Sequence, residues 1–154
     1  MERKPLKRHK ALQPLSREHH HGLLLSWKIR MGLNKNVEAH RIGSYALWFY
    51  KTHLIPHFEM EEQHIFPILE SDHKLLKRAL ADHRRLGRLF AAEIEHVETL
   101  SKIEEELDNH IRFEERVLFP EIQNVATEAQ LLQIEKIHRP DEKFEDNLND
   151  EFWK

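Results

Sequence analysis

Cysteine is absent from this chain of 154 residues. Disulfide bonds, thiolate nucleophiles and zinc fingers with sulfur ligands are therefore excluded. Glycine and proline are scarce, with four and six copies, which favours long uninterrupted helices over a sheet with many turns. No apolar run approaches the roughly 20 residues that a membrane span needs. The N-terminus lacks the apolar core of a secretory signal, so we expect a cytoplasmic protein.

Charge of one sign is not in large excess, since the formal net charge is −3. This value argues against broad electrostatic binding to nucleic acid or to a membrane surface, and we expect neither as a partner. The charges separate at the two ends, where residues 1–13 are basic and residues 139–154 are acidic. We expect both ends to be solvated tails, with mutual docking or contact with a partner as the alternatives. A further alternative at the C-terminus is docking on the bundle of its apolar residues, Phe144, Leu148, Phe152 and Trp153.

Helical periodicity extends over four long segments, at about 16–33, 37–69, 71–95 and 97–119, and over a shorter one at 127–137. No segment alternates with the period of two that a half-buried strand shows. Four long helices with short connections predict an all-α fold, an antiparallel up-down four-helix bundle over 14–138 with a short extra C-terminal helix and a tail. Pro56 lies inside the second segment and should bend it.

Histidine is the residue in excess, with 13 copies. The pattern H-x3-E-E-x3-F-P occurs at 57–67 in the second helix and again at 110–120 in the fourth. His57 and Glu61 stand four positions apart, as do His110 and Glu114, so each pair lies on one helix face within reach of a common metal ion. Both pairs are in phase with the apolar stripe of their helix. Burying such groups without partners would cost about several kcal/mol for each charge, a cost that metal coordination removes.

The other two helices each offer a histidine to the same centre. In the third it is His83, in phase with the apolar stripe of that helix. In the first, three histidines are adjacent, and the spacing of His83 to Leu86 is reproduced by His20 to Leu23. We therefore choose His20, with His19 as the alternative; the stripe of that helix is predicted through Leu23, Leu24, Trp27 and Met31. The predicted metal ligands are His20, His57, Glu61, His83, His110 and Glu114.

Imidazole and carboxylate together suit iron, manganese or zinc, whereas calcium and magnesium prefer oxygen ligands alone. Glu62 and Glu115 also repeat, but they lie five positions past the histidine and are expected to pair on the solvent side. His138 and Glu142 stand four apart around Pro140, which makes that pair a decoy. The Glu-x-x-His pattern of ferritin-like bundles occurs five times, but not once per alternate helix as that family requires.

Over about residues 14–125 the chain resembles the hemerythrin-like, or HHE cation-binding, domains. The resemblance rests on His20 in the histidine run, His57 with Glu61, His83, His110 with Glu114, and the two Phe-Pro ends. It implies a four-helix bundle with two iron ions, oxo- or hydroxo-bridged, and an open position for oxygen; zinc or manganese are possible substitutes. Hemerythrins proper carry H-x3-H on the third helix, whereas Ala79 and Gly87 stand four positions from His83. The missing ligand puts stable reversible oxygenation in doubt.

Two classes of function follow from this pattern. The first is a non-haem di-iron protein that binds O2, NO or iron itself in sensing, storage or stress response. The alternative is a di-iron redox enzyme that reduces peroxide or nitric oxide, or oxidises iron. A metal-free or zinc-stapled scaffold is the third possibility. No separate catalytic constellation is visible, which favours a binding protein whose partner is a small diatomic ligand.

Overall fold

The structure is a computed structural model that describes residues 7–137 and 144–154. The described residues form four long helical runs and one short helix and contain no strand, which confirms the all-α fold. The helices are α1 (Gln13–Asn34), α2 (Ala39–Phe49), α3 (Ile55–Met60), α4 (Lys74–Ala91), α5 (Val97–Phe113), α6 (Phe119–Val125) and α7 (Glu128–Ile137). The second run joins α2 to α3, and the fourth joins α5 to α6, through π-helical turns. Short loops connect consecutive runs, so that neighbours are antiparallel.

Helix ends follow local chemistry. Asn36 adopts a positive φ of 56° just after α1, a conformation that asparagine tolerates better than most residues. A capping box precedes α7, because the Thr127 N–H donates to Gln130 Oε1 over 2.8 Å and the Gln130 N–H donates to Thr127 Oγ1 over 3.1 Å. The side chain of His73 caps α4, which begins at Lys74, by accepting the Leu75 N–H.

Each π-helical turn ends two positions before a proline. The turns are Tyr50–Leu54, Glu61–Ile65 and Glu114–Leu118, and they are followed by Ile55-Pro56, Phe66-Pro67 and Phe119-Pro120. A proline removes the N–H that would bond four residues back and clashes with that carbonyl. The helix instead widens into a π-helical turn, in which the N–H of the residue before each proline donates to the carbonyl five residues back. Pro56 therefore widens the second helix without ending it.

The buried face of α1 differs from the predicted stripe. Leu15, His19, Leu25 and Ile29 are buried, whereas Leu24 and Trp27 are 36% and 44% exposed. Small residues share the buried face, because α1 approaches α5 so closely that a Cβ on Gly22 would lie 2.6 Å from Ile111 Cδ1. The prediction from apolar residues alone therefore placed the buried stripe of α1 about one position away from where it lies.

Two hydrophobic clusters fill the bundle, one toward each end. One contains Ile29, Phe49, Leu86 and Leu107, and the other contains Leu15, Phe66, Ala79 and Phe119. Along every long run a polar buried residue stands between members of the two clusters. These residues are His19, His57 with Glu61, His83, and His110 with Glu114.

The described ends of the chain pack on the bundle, which at the C-terminus corresponds to the docking alternative and not to a solvated tail. Ala11 and Leu12 are buried before α1, and Phe152 and Trp153 are buried against α1 and α2. Lys28 Nζ donates 2.7 Å to Asp146 and lies 4.0 Å from the centre of the Trp153 ring. The predicted decoy pair His138 and Glu142 lies outside the described residues. No helix among the described residues is long and apolar enough to cross a membrane.

Candidate metal centre

Five of the six predicted ligands meet at the centre of the bundle. His57, Glu61, His83, His110 and Glu114 are each at most 6% exposed. His20 does not join them, because its side chain is exposed. His19 takes its place, with 3% of its surface exposed. The inward histidine of α1 is thus His19, the alternative to His20, for the same reason that the stripe of α1 was misplaced.

The four imidazoles turn Nε2 toward the two glutamates. Nε2 of His57 and of His83 each lie 3.3 Å from Glu61 Oε1. Nε2 of His19 lies 3.6 Å from Glu114 Oε2 and 3.7 Å from Glu61 Oε2. His83 Nε2 lies 3.6 Å from Glu114 Oε1, and His110 Nε2 contacts the same oxygen. The two carboxylates thus lie in the middle of the centre. His19 and His57 are on one side of them, and His83 and His110 are on the other.

All eight of these inward atoms lack a hydrogen-bond partner. They are the four histidine Nε2 atoms and both carboxylate oxygens of Glu61 and of Glu114. Buried polar atoms in folded proteins nearly always have a partner, so eight orphans facing one point require an explanation. Two groups of donors have the spacing to hold a metal ion: Glu61, His83, His110 and Glu114, and His19, His57 and Glu61.

The comparison with known families agrees with this geometry. The family described as hemerythrin HHE cation binding domain matches residues 15–122, which is more than half of the chain. The chain belongs to this family. Comparisons with curated proteins and with solved structures found no match.

Each of the four inward histidines of this hemerythrin HHE domain is fixed from outside by a carboxylate. The Nδ1 atoms of His19, His57, His83 and His110 donate to Glu115, Glu18, Glu62 and Asp82 over 2.7, 3.0, 2.8 and 2.9 Å. A proton held at Nδ1 leaves the lone pair at Nε2, the arrangement that metal-binding histidines show. Glu62 and Glu115, expected to pair toward solvent, instead orient His83 and His19.

The contacts between carboxylates and histidines repeat in the two halves of the bundle, with pseudo-twofold symmetry. On the first and third runs an acid precedes the histidine, as Glu18-His19 and Asp82-His83. The acid of each dipeptide binds the histidine of the next run, and the second glutamate of each H-x3-E-E pattern binds a histidine of a dipeptide. Aligning the two acid–histidine dipeptides would have selected His19 from the sequence. The spacing of His83 to Leu86 was the weaker signal.

Aromatic rings hold two of the imidazoles from the side. Phe119 stacks on His19 with ring centroids 5.1 Å apart, and Phe58 stacks on His83 at 3.9 Å. Phe66, the counterpart of Phe119 in the repeat, also lies against His83. The Phe-Pro ends of the repeat therefore form the apolar wall of the centre on one side.

Charge in the protein without metal is balanced by protons. Burial alone would lower the pKa of His19, but Glu115, Glu61 and Glu114 raise it to about 9. At His57 burial also acts to lower the pKa, but Glu61 and Glu18 outweigh it and raise the pKa to about 10. At His83 the pKa rises to about 11, and at His110 it is also raised. Six carboxylates surround four imidazoles, and this excess of negative charge is the cause.

The position of the missing hemerythrin ligand is apolar. Ala79, one turn before His83, is fully buried and belongs to the cluster that contains Leu15 and Phe119. The centre therefore has two histidines on each side of the glutamate pair, with no fifth imidazole in either described donor group.

Proposed function

We propose that this chain is a non-haem di-iron protein that binds O2, NO or iron itself in sensing, storage or stress response. The observation that supports the proposal is the set of eight buried, unpartnered donor atoms between the two clusters. Such a set is costly in a protein without metal, because each desolvated polar atom loses its hydrogen bonds to water. Two cations would satisfy all of them at once.

In this proposal the ligands divide by the symmetry of the bundle. His19 and His57 hold one ion, His83 and His110 hold the other, and Glu61 and Glu114 lie between the two. Glu18, Glu62, Asp82 and Glu115 orient the four imidazoles from outside. Protons on the imidazoles and divalent cations both balance the negative charge of the carboxylates. Replacing the protons by the ions therefore changes the net charge of the centre little.

Open coordination positions support binding of a small ligand. Two histidines and a carboxylate are a donor set that leaves positions free on iron. When bound, iron supplies a redox-active ion to which O2 or NO can attach. The surrounding apolar side chains, such as Phe58 and Phe119, exclude bulk water and larger ligands. Zinc and manganese share these donors, so metal identity has to be measured.

The test is the metal content of the purified protein, measured together with its visible spectrum before and after addition of azide. We expect about two irons per chain and charge-transfer bands that shift with azide, since open positions bind small anions. His20→Gln serves as a matched control, because its side chain is exposed beside the proposed ligand. One zinc or no metal, unchanged by anaerobic reconstitution with ferrous iron, would contradict the proposal.

A redox enzyme is the second candidate, and a surface groove favours it. A groove of about 530 Å³ between α4 and α5 is lined by Arg78, Asp82, Arg85, Lys102 and His110. It reaches Asp82, which orients His110, from the solvent side. Reduction of peroxide or nitric oxide, or oxidation of iron, faster than by free iron would support this candidate. Turnover equal to that of free iron would leave the binding protein.

A further inference from the structure

A small cavity lies on the opposite flank of the centre from the α4–α5 groove. It has a volume of about 30 Å³ and is lined by Glu18, His21, His53, His57 and Phe144. A space of this size holds about one water molecule or one small ion. Its inner wall is His57 with the carboxylate that orients it, so the cavity borders the His19–His57 half of the centre.

Two histidines of this cavity have buried nitrogens without partners. His21 Nδ1 and His53 Nε2 are shielded from solvent and form no hydrogen bond. The centre described above does not use either residue. Both were among the histidines in excess in the sequence, and their placement in one cavity gives them a common role.

The roof of the cavity is Phe144 of the C-terminal segment. Its ring stacks on His21 with centroids 4.0 Å apart and lies 4.6 Å from the ring of His53. Two residues further on, Asp146 accepts from Lys28 and from Tyr45, and this attaches the segment to α1 and α2. Phe144 is thus a cap on the cavity that is held by contacts outside it.

Charge distinguishes this flank from the groove on the other side. Glu18 and Asp146 lie near enough to interact electrostatically with both His21 and His53. In contrast, the groove beside His110 is lined by three basic residues and three acidic ones: Arg78, Arg85, Lys102, Asp82, Glu105 and Glu106. A cation is attracted to the acidic flank, whereas the opposite charges of the groove offset one another.

We propose that the cavity formed by His21, His53 and Phe144 is a transit site through which a divalent transition-metal cation reaches His57. The inference rests on the proposed metal binding and adds the route of the ion. The two imidazoles receive the cation under Phe144, and Glu18 and His57 lie on the inner side of the same space. Neither donor group capable of holding an ion in the described chain includes His21 or His53, so the site binds weakly and passes the ion on.

The test measures the rate at which Co2+ alone enters the chelated protein, by stopped-flow absorbance of the cobalt bands. We expect the His21→Gln, His53→Gln double variant to load about tenfold more slowly, equivalent to about 1.4 kcal/mol on the barrier. Its final stoichiometry should match that of the unaltered protein. Phe144→Ala should load and release cobalt faster, because the cap is removed. His20→Gln and His40→Gln are controls, since both side chains are exposed.

The outcomes separate this inference from the function on which it rests. Full occupancy in every variant at an unchanged rate would overturn the transit site and leave the metal centre. Failure of the unaltered protein to bind any metal would remove both. Circular dichroism and thermal melting of each variant show whether the fold is retained. The His21→Gln single variant is compared with the double variant. If the double variant loads slowly and the single variant loads at the rate of the unaltered protein, the transit depends on His53 alone, and the role of His21 is overturned.

Discussion

Glu115 Oε2 accepts a hydrogen bond of 2.7 Å from His19 Nδ1, although the two residues are 96 positions apart in the chain. The same carboxylate accepts from Ser16 Oγ and pairs with Arg8. One residue of the fourth run thereby fixes the position of the histidine on the first. His20, the next residue along the chain, lacks the contact with Glu115. The two adjacent histidines therefore allow an oriented imidazole to be compared directly with an exposed one.

His19→Gln should abolish one of the two proposed metal sites, while His20→Gln should leave the metal content unchanged. His19 is the imidazole that faces Glu61 and Glu114, and His20 is exposed. The measurement is metal bound per chain after dialysis, with isothermal titration to resolve the two sites. Equal losses in both variants, or a loss in His20→Gln alone, would reject His19 as a ligand.

Glu115→Gln should weaken metal binding without removing a ligand. The carboxylate orients His19 and increases the basicity of its Nε2, and loss of such a contact typically costs about 10- to 100-fold in metal affinity. The matched control is Glu59→Gln, an exposed glutamate on α3. Competition with a chelator of known affinity gives the constants. An affinity equal to that of the control would show that the contact is only structural.

The repeat made most of the centre predictable from the sequence. A histidine and a glutamate four apart, in phase with an apolar stripe, must face the core, and this argument placed His57, Glu61, His110 and Glu114 correctly. For α1 the argument failed because its buried face contains Gly22, Ser26, Lys28 and Gly32. Burial of these residues depends on the close approach of α5 and of the C-terminal segment, which no local pattern reveals.

The orienting carboxylates were missed for a related reason, and docking of the C-terminal segment was expected only as an alternative. Glu18 and Asp82 belong to different runs from the histidines that they bind, so only the packing of the helices brings them together. Phe152 and Trp153 are buried by the surface that α1 and α2 form jointly. Their acidic neighbours suggested a solvated tail, but Asp146 and Asp150 pair with Lys28 and Arg41.

Metal binding should release protons. The pKa values of His19, His57 and His83 are raised to about 9, 10 and 11, so these three imidazoles are protonated near neutral pH without metal, and that of His110 is raised as well. Binding of the ions should therefore displace at least about three protons, and the apparent affinity should increase as the pH rises toward these pKa values. The number of protons released is measured with an indicator dye in weak buffer while the chelated protein takes up metal. Release of no protons would show that the ions bind elsewhere.

The stability of the chelated protein should fall as the pH rises. A histidine whose pKa is 6.5 when unfolded and about 9 to 11 when folded stabilises the fold below pH 6.5, and this contribution is lost as the pH passes through the folded value. Urea denaturation from pH 6.5 to about 10 measures the slope. The metal-loaded protein should show the opposite sign near pH 6.5, because its histidines bind no proton. Parallel slopes in the two forms would contradict the assignment.

Gly43→Ala should destabilise the fold, whereas Gly87→Ala should not. A Cβ on Gly43 would lie 2.9 Å from the backbone oxygen of Ile94, a group that cannot move as the end of a side chain can. Overpacking of this kind costs about 1–3 kcal/mol. At Gly87 the nearest atom, Tyr50 Oη, lies 3.4 Å away, and replacing a helical glycine by alanine gains up to about 1 kcal/mol. Urea denaturation of both variants compares the two effects. Similar stability of the two would show that the loop carrying Ile94 yields easily, and that the contact between α2 and this loop is not a tight one.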